Sequence, residues 1–265
     1  MRFRPTLLIA GALLAGCAVE RIAPPQTELH TELFGDTGRE SIRTLFVVLH
    51  GDARPANRAN SYAFAQAVVK AVPKSAALAI LRPGYADAMG NASPGERGAG
   101  TGDNYTSERL QKIAAAIASA KAQVPAARVI LIGDNGGAAM AADLAGIRPR
   151  LIDGMVLVSC PCTLPEWRKY MKKRAPSLNW ESPVPSLDPL KTAGGVRPDL
   201  RAAMLVGAKD EITPGSFSRP YAEALALRGI ATDYRIVPDR GQLSLDDPEV
   251  LDATRRLVDH MPEKP

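Results

Sequence analysis

Val129-Ile130-Leu131-Ile132-Gly133-Asp134-Asn135-Gly136-Gly137, running into the small residues of 138–145, decides the fold. The apolar run 129–132 reads as a buried strand, and 136–145 reads as a helix. Glycines at 133, 136 and 137 supply the tight packing and positive φ that so sharp a strand-to-helix turn needs. Asn tolerates positive φ better than most residues, so Asn135 fits the apex. A strand, a Gly-x-Asn-x-Gly turn and a helix in this order hold one side chain above the end of a sheet. The dinucleotide pattern G-x-G-x-x-G is absent, and no Lys-Ser/Thr follows to make a phosphate loop.

The same alternation runs along the chain. Strands are predicted at 44–49, 76–81, 129–132, 154–158, 202–206 and 233–237. Helices are predicted at 61–72, 107–124, 136–145, 165–173 and 217–227. A last helix starts with Asp247 as N-cap, Pro248 at the first position and Glu249 after it. Leu110, Ile113, Ala114, Ile117 and Val124 give the second of these helices one apolar face. Strands that are apolar end to end and alternate with helices imply an α/β domain, a mostly parallel sheet with helices on both faces. Ligands in such sheets bind at the strands' C-terminal ends.

Bulk composition agrees. The 265 residues are 46% hydrophobic and 23% charged, which excludes a disordered chain and suits one large core. The formal net charge is +5, and its densest run is Arg168-Lys169-Tyr170-Met171-Lys172-Lys173-Arg174. Without an interleaved stacking platform that run reads as a solvated helix face, and no nucleic-acid partner is expected.

Met1-Arg2-Phe3-Arg4 is a basic leader followed by a short apolar stretch at 6–14 and by Leu14-Ala15-Gly16-Cys17. The stretch is too short to span a bilayer. The small residues before the Cys resemble a bacterial lipobox. That resemblance implies a signal peptide over 1–16, an acylated Cys17 as the mature N-terminus, and a tether over 18–25 within an N-terminal segment 17–40. Ala18, not Asp, follows the Cys, which points to the periplasmic face of the outer membrane. Cys160 and Cys162 flank Pro161; a bridge between them would close a tight ring, so free buried thiols are expected. Neither they nor any other group suggests a metal site.

Three loops converge at the sheet's C-terminal edge. His50-Gly51-Asp52-Ala53 follows the first parallel strand, and its backbone N–H groups could supply half of an oxyanion hole, with Gly136 N–H as the other half. His50 itself reads as a brace for this loop. The second loop is the turn around Asn135. The third is Gly207-Ala208-Lys209-Asp210-Glu211, paired with the corner Pro238-Asp239-Arg240-Gly241-Gln242. A carboxylate at Asp210 stands where one would orient a base supplied after the next strand.

The ordered set of His50-Gly51, the Gly133–Gly137 elbow, Asp210 and the Gly241 corner resembles the α/β-hydrolase superfamily over a domain at 41–265, with a small cap at about 161–196. The resemblance implies a three-layer fold and ester, thioester or peptide hydrolysis through an acyl-enzyme, with no cofactor. It places the nucleophile at Asn135, the acid at Asp210 and the base at Gln242. Neither amide can serve: Asn is not activated as a hydroxyl is, and Gln takes no proton near neutral pH. Serine-type turnover is therefore expected to be absent, leaving a pocket for a small acyl or peptide ligand and a membrane contact through Cys17. The alternatives are a hydrolase using another nucleophile (Asp134, a deamidated Asn135, Ser159 or Ser244) and a serine hydrolase silenced by design. The glycine-rich loop 82–106 should overhang the site, bringing Asp87, Glu96, Arg97 and Asp103. Trp167 and Trp180 in the cap either wall a ligand or pack in the core.

Overall fold

The computed structural model describes residues 22–35, 38–52 and 55–262, without the side chains of 55–60. Cys17 with the whole leader, and Ala53, lie outside the described residues. The strands are β1 (Thr31–Phe34), β2 (Thr44–Leu49), β3 (Ser75–Ile80), β4 (Arg128–Asp134), β5 (Gly154–Val158), β6 (Arg201–Gly207) and β7 (Ala231–Val237). The helices are α1 (Pro55–Ala71), α2 (Ser107–Gln123), α3 (Gly136–Ile147), α4 (Leu164–Arg174), the single turn α5 (Pro189–Thr192), α6 (Arg219–Leu227) and α7 (Pro248–Asp259).

The strands form one seven-stranded sheet in the order β1-β3-β2-β4-β5-β6-β7. Among the described residues only β1 is antiparallel, to β3; the other strand pairings are parallel. Period-two alternation sends Leu45, Val47, Leu49 and Leu131 to one face, where α2 and α3 bring Leu110, Ile113, Ile117 and Met140. Phe46, Val48, Ile130 and Ile132 go to the other face, against Phe64 and Val68 of α1 and Val250 and Leu257 of α7. Burial on both faces is why these strands show no polar alternation. The start of α7 is as its sequence predicts: Asp247 Oδ1 accepts from Glu249 N at 3.0 Å, with Pro248 at the first position.

One element went unpredicted and three expectations need correction. The edge strand β1 has only half-buried residues and no sequence pattern long enough to reveal it; its pairing with β3 creates it. Helix α1 begins at Pro55, not at 61, because its first turns are polar. The chain is no free tether from Ile22 onward. Ile22 and Pro25 are buried, and Ala23 exchanges two hydrogen bonds with the Gln123 amide, 2.8 Å each. Finally, Cys160 and Cys162 are not free thiols but a disulfide. The chain around Pro161 sets their Cα atoms 5.2 Å apart, inside the range a bridge spans.

Candidate active site

Asn135 sits at φ 50°, ψ −114°, a conformation costly for any residue with a side chain. It persists because both sides hold it. Asn135 N donates to Val158 O of β5 at 2.9 Å, and Asn135 O accepts from Ala138 N and Ala139 N to begin α3. Only glycine permits the strand-to-helix approach: a Cβ on Gly133 would strike the Gly137 carbonyl, and one on Gly137 the Leu49 carbonyl. The side chain of Asn135 is nearly buried, and its Oδ1 accepts from Gly136 N at 2.9 Å. The first N–H of the elbow helix is thus capped by the residue before it.

The loop after β2 contributes a carboxylate. Asp52 Oδ1 accepts from Arg82 Nη2 at 2.8 Å and from the Tyr85 hydroxyl at 2.6 Å, and Oδ2 accepts from the Tyr105 hydroxyl at 2.6 Å. Asp52 Oδ2 lies against Gly136, in the space a side chain there would need. Burial pushes the Asp52 carboxyl up, but the Arg82 guanidinium and the two tyrosine hydroxyls outweigh it and hold it below the usual carboxylate range. Burial also raises the Tyr85 hydroxyl, to about 12, and lifts Tyr105 well above its ordinary value, so both are donors at neutral pH. Arg82 is 1% exposed and also donates from Nη1 to His50 O at 2.9 Å. The His50 ring is spent on the same loop: Nε2 accepts from Arg82 N at 3.0 Å, and Nδ1 lies 2.8 Å from Gly51 O. That is a brace, not a base.

Asp134 turns its carboxyl against Gly51, with Oδ2 3.1 Å from where a Cβ on that glycine would stand. Burial, with the nearby charges of Asp52 and Asp246, raises it to about 8 against the pull of Arg82. At neutral pH Asp134 keeps its proton.

Asp210 is saturated by its surroundings. Oδ1 accepts from Ile212 N and Thr213 N at 2.9 and 2.8 Å; Oδ2 accepts from the Thr213 and Ser159 hydroxyls at 2.9 and 2.8 Å. Ser159, at φ 47°, in turn accepts from Leu243 N at 3.1 Å. A serine therefore ties the acid to the backbone beside Gln242. The Gln242 side chain is exposed, and among the described residues no hydrogen bond joins it to Asn135 or Asp210. The structure thus brings Gly51, Asp52, Asn135 and Gly136 together and places Asp210 after β6, two strands from the elbow strand β4.

Neighbouring solved structures share this frame. They include esterase PE8 (17% identical, TM-score 0.62, covering 88% of this chain and 99% of that one). Est1E of Butyrivibrio proteoclasticus with ferulic acid bound is 13% identical, with TM-score 0.67 and coverage of 87% and 96%. The putative non-heme bromoperoxidase BpoC of Mycobacterium tuberculosis is 16% identical, with TM-score 0.59 and coverage of 88% and 96%. The chain has the α/β-hydrolase fold. No protein-family model and no curated protein sequence matches it.

In this α/β-hydrolase fold the loop between β3 and α2 does reach the elbow. It supplies Arg82, Tyr85 and Tyr105 to Asp52, and Arg97 Nη2 donates to Asp52 O at 3.2 Å. Asp103 stays inside the loop, accepting from Ala99 N and Thr101 N. Asp87 braces it too, accepting from the Tyr62 hydroxyl, Met89 N, Asn91 N and Asn91 Nδ2. His30 and Glu32 approach Asp87 so that one atom of each lies within 4.8 Å of the others, but the Asp87 oxygens are already occupied as described. Trp167 of α4 and Trp180 beyond it are buried edge to face at 5.8 Å, with ring N–H groups on Ile212 O and Ala175 O. They are core, not a ligand wall. Much of the basic run is also engaged: Arg168 holds Thr101, Trp180 and Ser182 carbonyls, Lys172 pairs with Glu181 and Arg174 with Glu211. The sequence reading missed Arg82, Tyr85 and Tyr105; Tyr85 and Tyr105 flank a glycine-rich loop, a faint signal. Ser159 enters that reading only as an alternative nucleophile, and its hydroxyl is instead spent on Asp210.

Proposed function

We propose that this chain is an exported lipoprotein, anchored by acyl chains on Cys17 at the periplasmic face of the outer membrane, whose α/β-hydrolase fold serves binding rather than serine-type turnover. The observation that carries the second half is Asp52. An acyl-transfer site needs donors around the oxygen that becomes negative. Here an ionised carboxylate stands against Gly136, and the Gly136 N–H is already taken by Asn135 Oδ1. The elbow and base positions, Asn135 and Gln242, are both amides. Asp134 is a poor substitute nucleophile while it holds its proton. The bound molecule in this reading is a small acyl or peptide ligand at the elbow, and no cofactor is required.

A fluorophosphonate probe is expected to leave the protein unlabelled, and short-chain nitrophenyl esters to be hydrolysed no faster than by Asn135→Ala. Stoichiometric labelling near the elbow would overturn the reading. For the anchor, feeding a Gram-negative host an alkynyl palmitate should tag the protein, and Cys17→Ser should abolish the tag. Equal tagging of both forms would remove the lipoprotein half and leave the other standing.

A further inference from the structure

β7 ends the sheet, and among the described residues it pairs with β6 alone. Val237 O accepts from Ala208 N, so it faces inward. Along a strand the N–H and C=O of one residue point the same way, and successive residues alternate. Asp233, Arg235 and Val237 therefore direct their backbone groups to β6, while Thr232, Tyr234 and Ile236 direct theirs outward. The side chains of those three line an apolar groove with Arg219, Ala222 and Ala226 of α6. Asp233 and Arg235 project from the opposite face, beside Arg256. Ile236 is 45% exposed and Leu227, at the end of α6, 89% exposed.

We propose that β7 is the interface of a two-fold homodimer, pairing antiparallel with β7 of a second copy about an axis at Tyr234. That axis sets Tyr234 opposite its counterpart and Thr232 opposite Ile236 of the second copy. The outward backbone groups then meet one another. Asp233 comes opposite Arg235 of the second copy, and Arg235 opposite Asp233, at the positions where cross-strand side chains approach most closely. Axes one residue away, at Asp233 or Arg235, also match backbone groups but set like charges face to face. Among these three central registers the charge order Asp-Tyr-Arg thus selects one. Within one chain Asp233 and Arg235 already pair, Nε to both carboxylate oxygens at 2.9 Å; the dimer exchanges that contact for a cross-strand one. Charges on an edge strand ordinarily keep other strands away. Here their palindromic order admits one partner, a second copy, because an isologous interface must be complementary to itself. The groove beside α6 extends the contact beyond the strand itself. None of this depends on the function proposed above.

The test is sedimentation velocity of the full chain carrying Cys17→Ser, as its concentration is raised through the micromolar range. The parent should become dimeric. R235D and D233R, each setting like charges opposite, should stay monomeric. The swap D233R/R235D should restore the dimer. Far-UV circular dichroism of all four should coincide, since both residues lie on the surface; the parent and the swap should melt higher than the single variants only at concentrations where they dimerise. A parent that stays monomeric overturns the proposal. So do single variants that dimerise like the parent, or a swap that fails to restore association while the fold is intact.

Discussion

Asp52→Ala is expected to cost about 3–5 kcal/mol of folding stability, as truncating one partner of a buried ion pair does. Arg82 is 1% exposed and has the Asp52 carboxylate 2.8 Å from its Nη2. Without that carboxylate its charge remains buried, and the Tyr85 and Tyr105 hydroxyls lose their acceptor. Part of the loss should return in Asp52→Ala/Arg82→Met, which removes both charges. Urea unfolding at neutral pH measures all three, and a loss below about 1 kcal/mol for Asp52→Ala would place the pair among surface bridges instead. The pH dependence has a definite sign. The carboxyl is held below its ordinary 3.8 in the folded protein, so its contribution is complete above that value. It is lost as pH falls through the folded value. The parent should therefore lose stability in acid more steeply than the variant.

Asp134→Asn is expected to stabilise, increasingly as pH rises. In the folded protein Asp134 titrates at about 8, against 3.8 for the free group. Between those values the unfolded chain carries the charge and the folded one binds a proton, so rising pH draws the parent toward unfolding. Above about 8 the penalty is constant. Asn resembles the protonated acid and has no such penalty. The gain should be absent near pH 4 and reach on the order of 3 kcal/mol by pH 8, about half the full linkage value because the residue is only half-buried. Melting temperatures across this range decide the matter: parallel curves for parent and variant would mean that Asp134 is ionised in the fold.

Together these variants describe a site whose carboxyl groups are controlled one by one. Arg82 keeps Asp52 charged, burial keeps Asp134 neutral, and four donors saturate Asp210. Around the elbow of an acyl-transfer enzyme such crowding of acids would oppose the charge that develops in the transition state. In a binding site the same carboxyls can be structural, holding the elbow, the loop after β2 and the acid loop in fixed relation.

Much of this was legible from residues alone. The Gly133–Gly137 turn announced the elbow and the positive φ of Asn135, which a small polar residue tolerates; the positive φ expected of its glycines is not found at 133, 136 or 137, where glycine serves close approach instead. The buried strands and α2 were visible as apolar runs and as a helical stripe. The edge strand β1 was not, since a half-buried strand of four residues has too short a pattern. The cysteines were misread because ring size spoke against a bridge, whereas the Cα separation of 5.2 Å permits one.

By itself the sequence determined the alternation of strands and helices from β2 onward, the sharp turn that presents Asn135, and the amides at positions 135 and 242. These depend on local periodicity and on residue chemistry, which neighbours in the chain carry between them. Only the tertiary structure decided how the charged and polar groups pair. Asp52 and Arg82 lie 30 residues apart, Ser159 and Asp210 lie 51 apart, and Asn135 N meets Val158 O. Each of these contacts joins the ends of neighbouring strands, and strand order is set by burying the whole sheet rather than by any one segment.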